Sequence, residues 1–278
     1  MRFTHLLTAG LLALSCATGH AVSSVSLDFN GGAGGVADTG FEGVYNLDAS
    51  GYTLGGGNLT ITTLPGDIFG NYENDPDDAK NVFYSTLDAD PIGGTTVDTK
   101  VTVRNLNQNF HGGGIWLGTD NDHYIRLGVI HNGGIVVEAL RENEDLWPVL
   151  GGPGGDIIGR SDFIMPSPMA APLDVYLRLV RDGSTAQAFY SLDGLIYNQV
   201  NNFTFDAITT GLASGATVEP PGTFKVGVYA FGGGANQASV SFDYLNATGS
   251  TAIPEPSTAL LLLGGMPAAL AALRRRAR

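Results

Sequence analysis

The sequence has a single cysteine, Cys16, and only 15% of its 278 residues are charged. Because Cys16 lies in an N-terminal segment that we expect to be removed, disulfides, thiolate metal sites and cysteine nucleophiles are excluded from the body. Basic residues are scarce, with 14 Lys and Arg against 27 Asp and Glu. Five of the basic residues and one acidic residue lie in the end segments, so residues 22–253 carry a net charge of 9 − 26 = −17. A body this acidic repels anionic lipid and excludes nucleic acid as a partner.

Familiar catalytic motifs are missing as well. The chain has no Gly-x-Ser-x-Gly, no His-Glu-x-x-His and no Gly-rich loop leading into a helix, and His111, His123 and His131 have no partner at metal-ligand spacing. Glycosidases need two carboxylates that flank the scissile bond. The nearest acidic cluster begins with Glu138 and Glu142, and we expect it to run off a strand into a solvated loop. We therefore expect a protein without enzymatic activity.

Residues 1–21 have the order of a secretory signal peptide. Arg2 supplies the positive region, Leu6 to Leu14 form a short apolar run, and Gly19-His20-Ala21 offers small residues for cleavage after Ala21. The apolar run is too short for a membrane-spanning helix. A lipoprotein signal at Cys16 is an alternative, disfavoured because Ala13 stands where such signals usually have Leu.

The C-terminal segment, residues 251–278, combines prolines, an apolar run and arginines. Residues 257–273 are long enough for a short membrane-spanning helix, and the four arginines after them favour a cytoplasmic tail. Pro254 and Pro256 keep the preceding stretch extended, as a processing protease requires. An ordinary single-pass anchor would show the same apolar run.

The triplet Pro254-Glu255-Pro256, the apolar segment and the arginine cluster closely resemble a PEP-CTERM sorting signal. Proteins with this signal are exported by Gram-negative bacteria that also make exopolysaccharide. The resemblance implies processing by an exosortase, a membrane intermediate held by the C-terminal helix, and delivery to the cell surface or extracellular matrix.

The body, residues 22–250, reads as short β-strands separated by Gly, Asn and Asp. Asn132-Gly133, Asp182-Gly183 and Asp193-Gly194 suit two-residue hairpin turns. Eleven strands are predicted, over residues 25–29, 58–64, 81–87, 96–106, 114–119, 123–130, 134–140, 175–182, 185–192, 224–231 and 238–247. The pattern predicts one all-β domain, a two-sheet antiparallel sandwich of jelly-roll type, with a long loop over residues 140–169.

Three motifs of the body resemble the concanavalin A-like lectin/glucanase domains. They are Tyr124 to Leu127, Leu177 to Gly183 and Tyr190 to Gly194. The resemblance implies the sandwich fold. The Glu-x-Asp-x-x-Glu motif of the glucanases with this fold is absent from the chain.

Three aromatic residues are candidates for carbohydrate binding. Trp147 follows the acidic cluster and precedes Pro148, which indicates a position at the rim of the domain. Tyr229 and Phe231 alternate along one strand and therefore share a face, which is either core or binding surface. Trp116 lies in a strand that is apolar on both faces, so we expect it to pack in the core.

Two acidic loops are candidates for a calcium site, because calcium prefers carboxylate, amide and carbonyl oxygens. The first carries Asp75, Asp77 and Asp78, and the second carries Asp120 and Asp122. The alternative is that both are turns in which Asp and Asn side chains bond their own backbone.

Together these features predict an exported, non-catalytic protein that binds or organises extracellular polysaccharide. Two alternatives stay open at this point. One is a glycan hydrolase or lyase of the concanavalin A-like fold, and the other is a structural matrix protein without a ligand.

Overall fold

The computed structural model describes residues 24–32, 34–66, 79–88, 94–120, 123–143, 155–169, 171–182, 185–200, 205–206, 223–232 and 237–249. The predicted signal peptide, the sorting segment with its span at 257–273, and Pro254, Glu255 and Pro256 lie outside these ranges. Among the residues described, no helix is both long and apolar enough to cross a membrane.

The described chain is built from β-strands and one short 3-10 helix, Val36–Thr39. In chain order the strands are β1 (Ser24–Leu27), β2 (Gly43–Tyr45), β3 (Tyr52–Gly55), β4 (Asn58–Thr62), β5 (Val82–Asp88), β6 (Gly94–Arg104), β7 (Gly112–Gly118), β8 (His123–His131), β9 (Ile135–Asn143), β10 (Gly155–Arg160), β11 (Leu173–Asp182), β12 (Thr185–Ser191), β13 (Asn198–Gln199), β14 (Phe205–Asp206), β15 (Thr223–Phe231), β16 (Ser239–Phe242) and β17 (Leu245–Gly249).

The strands form two sheets. The ten-stranded sheet has the order β13-β12-β11-β6-β16-β4-β3, with β14 beside β12 and with β17 joining β1 to β6. The seven-stranded sheet has the order β10-β9-β8-β7-β15-β5-β2. Every strand pairing in the described ranges is antiparallel. The prediction of an all-β protein with two antiparallel sheets is therefore confirmed.

The main core lies between the two sheets. Strand β6 alternates strictly between buried and half-buried residues, so Val97, Val101 and Val103 point inward. Leu127 and Val129 of β8 belong to the same buried cluster from the opposite sheet. Burial of each such side chain stabilises the fold by roughly 1.5–3 kcal/mol. A one-residue slip in register would turn these side chains to the other face, and the core therefore fixes the register.

The seven-stranded sheet is buried on both faces. All seven residues of β7 are buried, and in β8 every residue except His123 is buried. The inner face contributes to the main core. The outer face carries a second buried cluster, formed by Ala79, Val82, Trp116, Tyr124, Ile130, Val136, Leu140, Tyr229 and Phe231. Trp116 is fully buried as predicted, but it packs on this outer face instead of between the sheets.

Strands β2, β3, β13 and β14 are additional to the eleven predicted strands, and two further regions differ from the prediction. The stretch 140–169, predicted as one long loop, contains the end of β9 and the whole of β10. The stretch 238–247, predicted as one strand, forms β16 and most of β17, which are separated at Asp243 and Tyr244. In both regions pairing to neighbouring strands decides the structure, and the apolar pattern of the chain does not reveal those partners.

Glycines allow bulky side chains to lie flat on the outer face of the seven-stranded sheet. A Cβ at Gly114 would overlap the carbonyl oxygen of Leu127 and approach the Cα of Gly128 to 2.6 Å. A Cβ at Gly128 would in turn meet the hydroxyl of Tyr229. Tyr229 can therefore reach over β8 because Gly128 lacks a side chain, and the absence of a side chain at Gly114 allows β7 and β8 to approach closely.

We expect Gly114→Ala to lower the free energy of unfolding by roughly 1–3 kcal/mol, because overpacking a rigid site forces backbone shifts. Gly55→Ala is the matched control, since a Cβ there meets nothing within 4 Å. The control should change stability by no more than about 0.5 kcal/mol. Urea-induced unfolding of both variants measures the difference, and equal stabilities would contradict this account of the close approach.

Candidate active site

Two glutamates lie on the outer face of the seven-stranded sheet. Glu138 and Glu142 both belong to β9, and their even spacing places them on one face. They are 5% and 3% exposed. The prediction that they belong to a solvated acidic loop is therefore wrong. Strand β9 continues to Asn143 because it pairs with β8 on one side and β10 on the other.

Glu138 forms an ion pair with Arg160 of β10. Arg160 Nε donates a hydrogen bond to Glu138 Oε2 at 2.9 Å, and Arg160 Nη2 donates to the same oxygen. An irregularity in β10 between Ile157 and Gly159 shifts the register by one residue and sets Arg160 opposite Glu138. The bulge therefore aims the guanidinium at the carboxylate.

Glu142 is bonded to a tyrosine of the neighbouring strand. Tyr124 is its cross-strand partner on β8, and the Tyr124 hydroxyl donates to Glu142 Oε2 at 2.5 Å. The Tyr124 ring is fully buried and meets the Trp116 ring edge-on at 6.4 Å between centroids. Trp116 is fixed in turn, since its Nε1 donates to the carbonyl oxygen of Phe83 at 3.1 Å. This chain of contacts holds the Glu142 carboxyl group in place.

Arg126 lies between the two glutamates. It pairs with Leu140 across the strands, so Glu138 and Glu142 are its two diagonal neighbours on β9. Its guanidinium carbon is 4.5 Å from the Phe231 ring centroid, in a cation–π geometry, and the residue is 3% exposed. We call Tyr124, Arg126, Glu138, Glu142 and Arg160 the polar cluster.

Tyr229 and Phe231, predicted as a carbohydrate-binding surface, share the outer face as expected. Their rings stack at 5.9 Å and are 0% and 2% exposed. Arg126 lies over both rings, 5.7 Å from the Tyr229 centroid. In this structure the two rings therefore support Arg126 and present no open aromatic platform.

Half-buried aromatic rings lie elsewhere on the same face. The Tyr45 and Tyr84 rings are tilted by 32° at 4.8 Å between centroids, and Lys225 Nζ donates to the Tyr45 hydroxyl at 2.9 Å. Burial raises the pKa of the Tyr45 phenol, although Lys225 acts in the opposite direction. This partly exposed tyrosine pair, which the sequence analysis did not single out, offers ring surface on the same face. It is separated from Tyr124 of the polar cluster by the Trp116 ring.

Most of the other predicted site residues lie outside the described ranges, namely Trp147, Asp75, Asp77, Asp78 and Asp122. Asp120 is described, and its Oδ1 is 2.8 Å from His123 Nδ1. Within the ranges that the structure covers, no group of three or more His, Cys, Asp or Glu could hold a metal ion. The calcium site stays a prediction.

The sequence pattern did not predict the polar cluster, because the strand predicted from it ends at residue 140. Extending the strand by three residues puts Glu138, Leu140 and Glu142 on one face by period-two alternation. The preceding strand carries Tyr124 and Arg126 with the same alternation. The feature that could have predicted the cluster is the alternation of side-chain direction continued through residues 134–143. The acidic residues at the end of this stretch suggested a loop instead.

The chain resembles known proteins in its structure and not in its sequence. No protein-family model matches the chain, and no curated protein matches it. Among solved structures, the chain is similar to the GH43 protein BlXynB of Bacillus licheniformis, with a TM-score of 0.55 and 17% identity over 74% of this chain and 36% of that one. A xylan beta-1,4-xylosidase of Bacillus halodurans gives a TM-score of 0.51 and 20% identity over 72% and 35%.

A third similar structure is a GH43 glycoside hydrolase engineered to display both endo-xylanase and exo-arabinofuranosidase activity. Its TM-score is 0.53, at 19% identity over 74% of this chain and 37% of that enzyme. The chain thus spans about a third of the length of these solved enzymes. At such identities the likeness establishes the fold, and activity is not carried over with it.

The comparison nevertheless corrects the predicted function. The sequence favoured a non-catalytic, polysaccharide-binding protein, whereas these solved chains with a similar fold are glycoside hydrolases. This finding contradicts the main prediction and favours its alternative, a glycan-cleaving enzyme.

The ion pair between Glu138 and Arg160 should contribute measurably to stability. Loss of one partner from a fully buried pair costs about 3–5 kcal/mol. The Arg160 side chain is 35% exposed, so we expect roughly 1–3 kcal/mol for Arg160→Met at neutral pH, because solvent screens part of the charge. Urea unfolding of Glu138→Gln, Arg160→Met and the double variant gives the coupling free energy. Losses that add within about 0.5 kcal/mol would show that the pair is not coupled.

Proposed function

We propose that the protein cleaves glycosidic bonds and that the polar cluster on the outer face of the seven-stranded sheet is its active site. The observation that carries the proposal is the pair of buried glutamates on one face of β9, each held by a different kind of partner. We also propose that the sandwich is, more specifically, a jelly roll of the concanavalin A-like type. The fold likeness to family 43 glycoside hydrolases supports it.

The two glutamates have environments that suit different roles. Arg160 donates two hydrogen bonds to Glu138 Oε2, and we assign Glu138 the role of general base. Glu142 is bonded by the phenol of Tyr124, and we assign it the role of proton donor to the leaving oxygen. Acid–base pairs of carboxyl groups are generally held by different partners, as these two glutamates are.

The spacing of the glutamates favours inversion at the anomeric carbon. Four residues along a strand separate the Cα atoms by about 13 Å. Inverting glycosidases hold their carboxyl groups roughly 6.5–9.5 Å apart, to admit a water, whereas retaining ones need about 5–5.5 Å. The wider arrangement requires less bending of the side chains toward each other, so we propose attack by a water activated by Glu138.

We propose that a substrate reaches the polar cluster at two partly exposed positions on this face. Arg160 exposes 35% of its side chain beside Glu138, and Tyr45 and Tyr84 are half-buried. Aromatic rings bury a large apolar surface and leave a polar tip in water, which suits the faces and hydroxyls of a sugar. Two of the similar enzymes are described as xylosidase and endo-xylanase, so we propose a neutral polysaccharide of this kind as the first substrate to test.

Export remains part of the proposal on the strength of the sequence motifs. We propose cleavage after Ala21, processing by an exosortase near Pro254-Glu255-Pro256, and action on extracellular polysaccharide. Intact mass of the protein purified from the outer cell fractions should correspond to a chain that begins at Val22 and lacks the span 257–273. A chain that keeps Met1 and Arg278 in those fractions would contradict this order of events.

The activity is tested with xylan, arabinoxylan and nitrophenyl β-xyloside, measuring reducing ends and nitrophenol. We expect Glu138→Gln and Glu142→Gln each to lower the rate by about 100-fold or more, because each removes an acid–base group. Glu42→Gln is the matched control, since Glu42 is exposed and lies outside the polar cluster. Proton NMR of the first product should show the inverted anomer.

Two outcomes would overturn the proposal. The first is that the unchanged protein cleaves no glycan in the panel. The second is that the glutamine variants cleave glycans at the same rate as the unchanged protein. Circular dichroism of each variant confirms that it is folded before its rate is compared. A retained anomer would leave the site in place and contradict the inverting geometry.

A further inference from the structure

A serine, a histidine and an asparagine lie in line away from the polar cluster. Ser167 Oγ is 2.8 Å from His131 Nε2, and His131 Nδ1 is 2.8 Å from Asn109 Oδ1. A nucleophile within hydrogen-bond reach of a base, with the base oriented by a third group, is the arrangement of serine hydrolases and their variants. His131 is the last residue of β8, and alternation along that strand turns it away from the face that carries Tyr124 and Arg126.

The hydrogen bonds fix the proton on the imidazole. Asn109 Oδ1 also accepts the backbone N–H of Gly133 at 2.8 Å, which identifies this atom as an acceptor. His131 Nδ1 must therefore carry the proton that it donates to Asn109. Its Nε2 is left with the lone pair that accepts the Ser167 hydroxyl. This is the tautomer that a general base toward Ser167 requires.

The imidazole is kept in its neutral form. Burial, and next the neighbouring His111, lower the pKa of His131 below its ordinary value of 6.5. The ring is therefore uncharged at neutral pH and can take a proton. His131 itself is 6% exposed.

Backbone hydrogen bonds hold the three residues in place. The N–H of His131 donates to the carbonyl of His111 at 2.9 Å, and its carbonyl accepts the N–H of Phe110 at 2.9 Å. The segment that carries Ser167 is tied to the start of β9, since Ile135 N donates to Met165 O at 3.0 Å. Positions fixed by backbone pairing suit a reaction that depends on a pre-set distance.

The nucleophile is accessible and has apolar neighbours. Ser167 and Asn109 are exposed, whereas the base between them is buried. Two phenylalanine rings next to the group are also open to solvent, Phe110 at 66% and Phe163 at 65%. Phe110 follows Asn109 directly, and the Phe163 ring lies against Gly134. Exposed rings beside a nucleophile favour an uncharged, partly apolar substrate.

We propose that Ser167, His131 and Asn109 form a second catalytic site, which hydrolyses uncharged carboxylic esters. Ser167 Oγ attacks the ester carbonyl carbon while His131 Nε2 takes the hydroxyl proton. The carbon–oxygen bond to the alcohol breaks, and His131 returns the proton to the departing alcohol. Water then attacks the acyl-serine and loses a proton to His131 Nε2. The bond from the acyl carbon to Ser167 Oγ breaks, His131 returns the proton to Oγ, and the carboxylic acid is released. Asn109 is a positioning residue, because it acts through the imidazole.

The test uses two probes on the purified protein. Diisopropyl fluorophosphate should phosphorylate one serine, and peptide mass spectrometry should place the adduct on Ser167. Hydrolysis of nitrophenyl acetate should fall by about 100-fold or more in Ser167→Ala and in His131→Gln, because each removes one member of the nucleophile–base pair. Ser50→Ala is the matched control, since Ser50 is exposed and its hydroxyl bonds a carboxylate of Asp48, not an imidazole.

The readouts separate a catalytic serine from a structural one. Ser167 is exposed, so Ser167→Ala should keep the unfolding midpoint of the unchanged protein. Asn109→Ala should slow the labelling of Ser167, because the imidazole loses its fixed tautomer. No adduct on Ser167, an adduct rate that His131→Gln leaves unchanged, or equal ester hydrolysis in Ser167→Ala would each overturn the proposal. The glycan assays use different substrates and variants, so failure here is distinguishable from failure of the proposed glycan cleavage.

Discussion

Burial of both faces of the seven-stranded sheet is the constraint on which the rest of the structure depends. The inner face meets the ten-stranded sheet mostly through aliphatic side chains, together with rings such as those of Phe83 and Phe224. The outer face is covered by aromatic rings that lie flat over positions without side chains. Gly128 leaves the space that the Tyr229 hydroxyl occupies. An aromatic layer formed in this way excludes water from the polar groups beside it.

Low exposure explains why the charged groups on that face are arranged in specific pairs. A buried charge without a partner costs several kcal/mol, so it must be paired and hydrogen-bonded. Arg160 compensates Glu138, Tyr124 bonds Glu142, and Arg126 lies over two ring faces. Groups held in this way need little rearrangement when a reaction develops charge, which is the physical basis for proposing an active site here.

The group of Ser167, His131 and Asn109, at the end of the sandwich, is held together in a different way. There, a hairpin and a loop tied to the start of β9 bring together residues 22 and 36 positions apart in the chain. The base is buried and the nucleophile is exposed, so a substrate reaches Ser167 while His131 keeps its tautomer. The three backbone segments that carry these groups are held together by hydrogen bonds of His131 to Phe110 and His111 and of Ile135 to Met165.

The sequence by itself determined the all-β class, the positions of the β8–β9 and β11–β12 hairpins and most central strands, because period-two alternation and Asn-Gly or Asp-Gly turns are local signals. The two-residue turns predicted at Asn132-Gly133 and Asp193-Gly194 are longer connections, since His131 pairs with Ile135 and Tyr190 with Asn198. The sequence also predicted that Tyr229 and Phe231 share a face. Only the tertiary structure decided that Glu138 and Glu142 are buried, since that depends on the pairing of β9 with strands on both sides. The same holds for Ser167, whose neighbours Pro166 and Pro168 give no catalytic motif. Contacts between distant segments depend on the register in which the strands pair. The local sequence pattern of a chain does not specify that register.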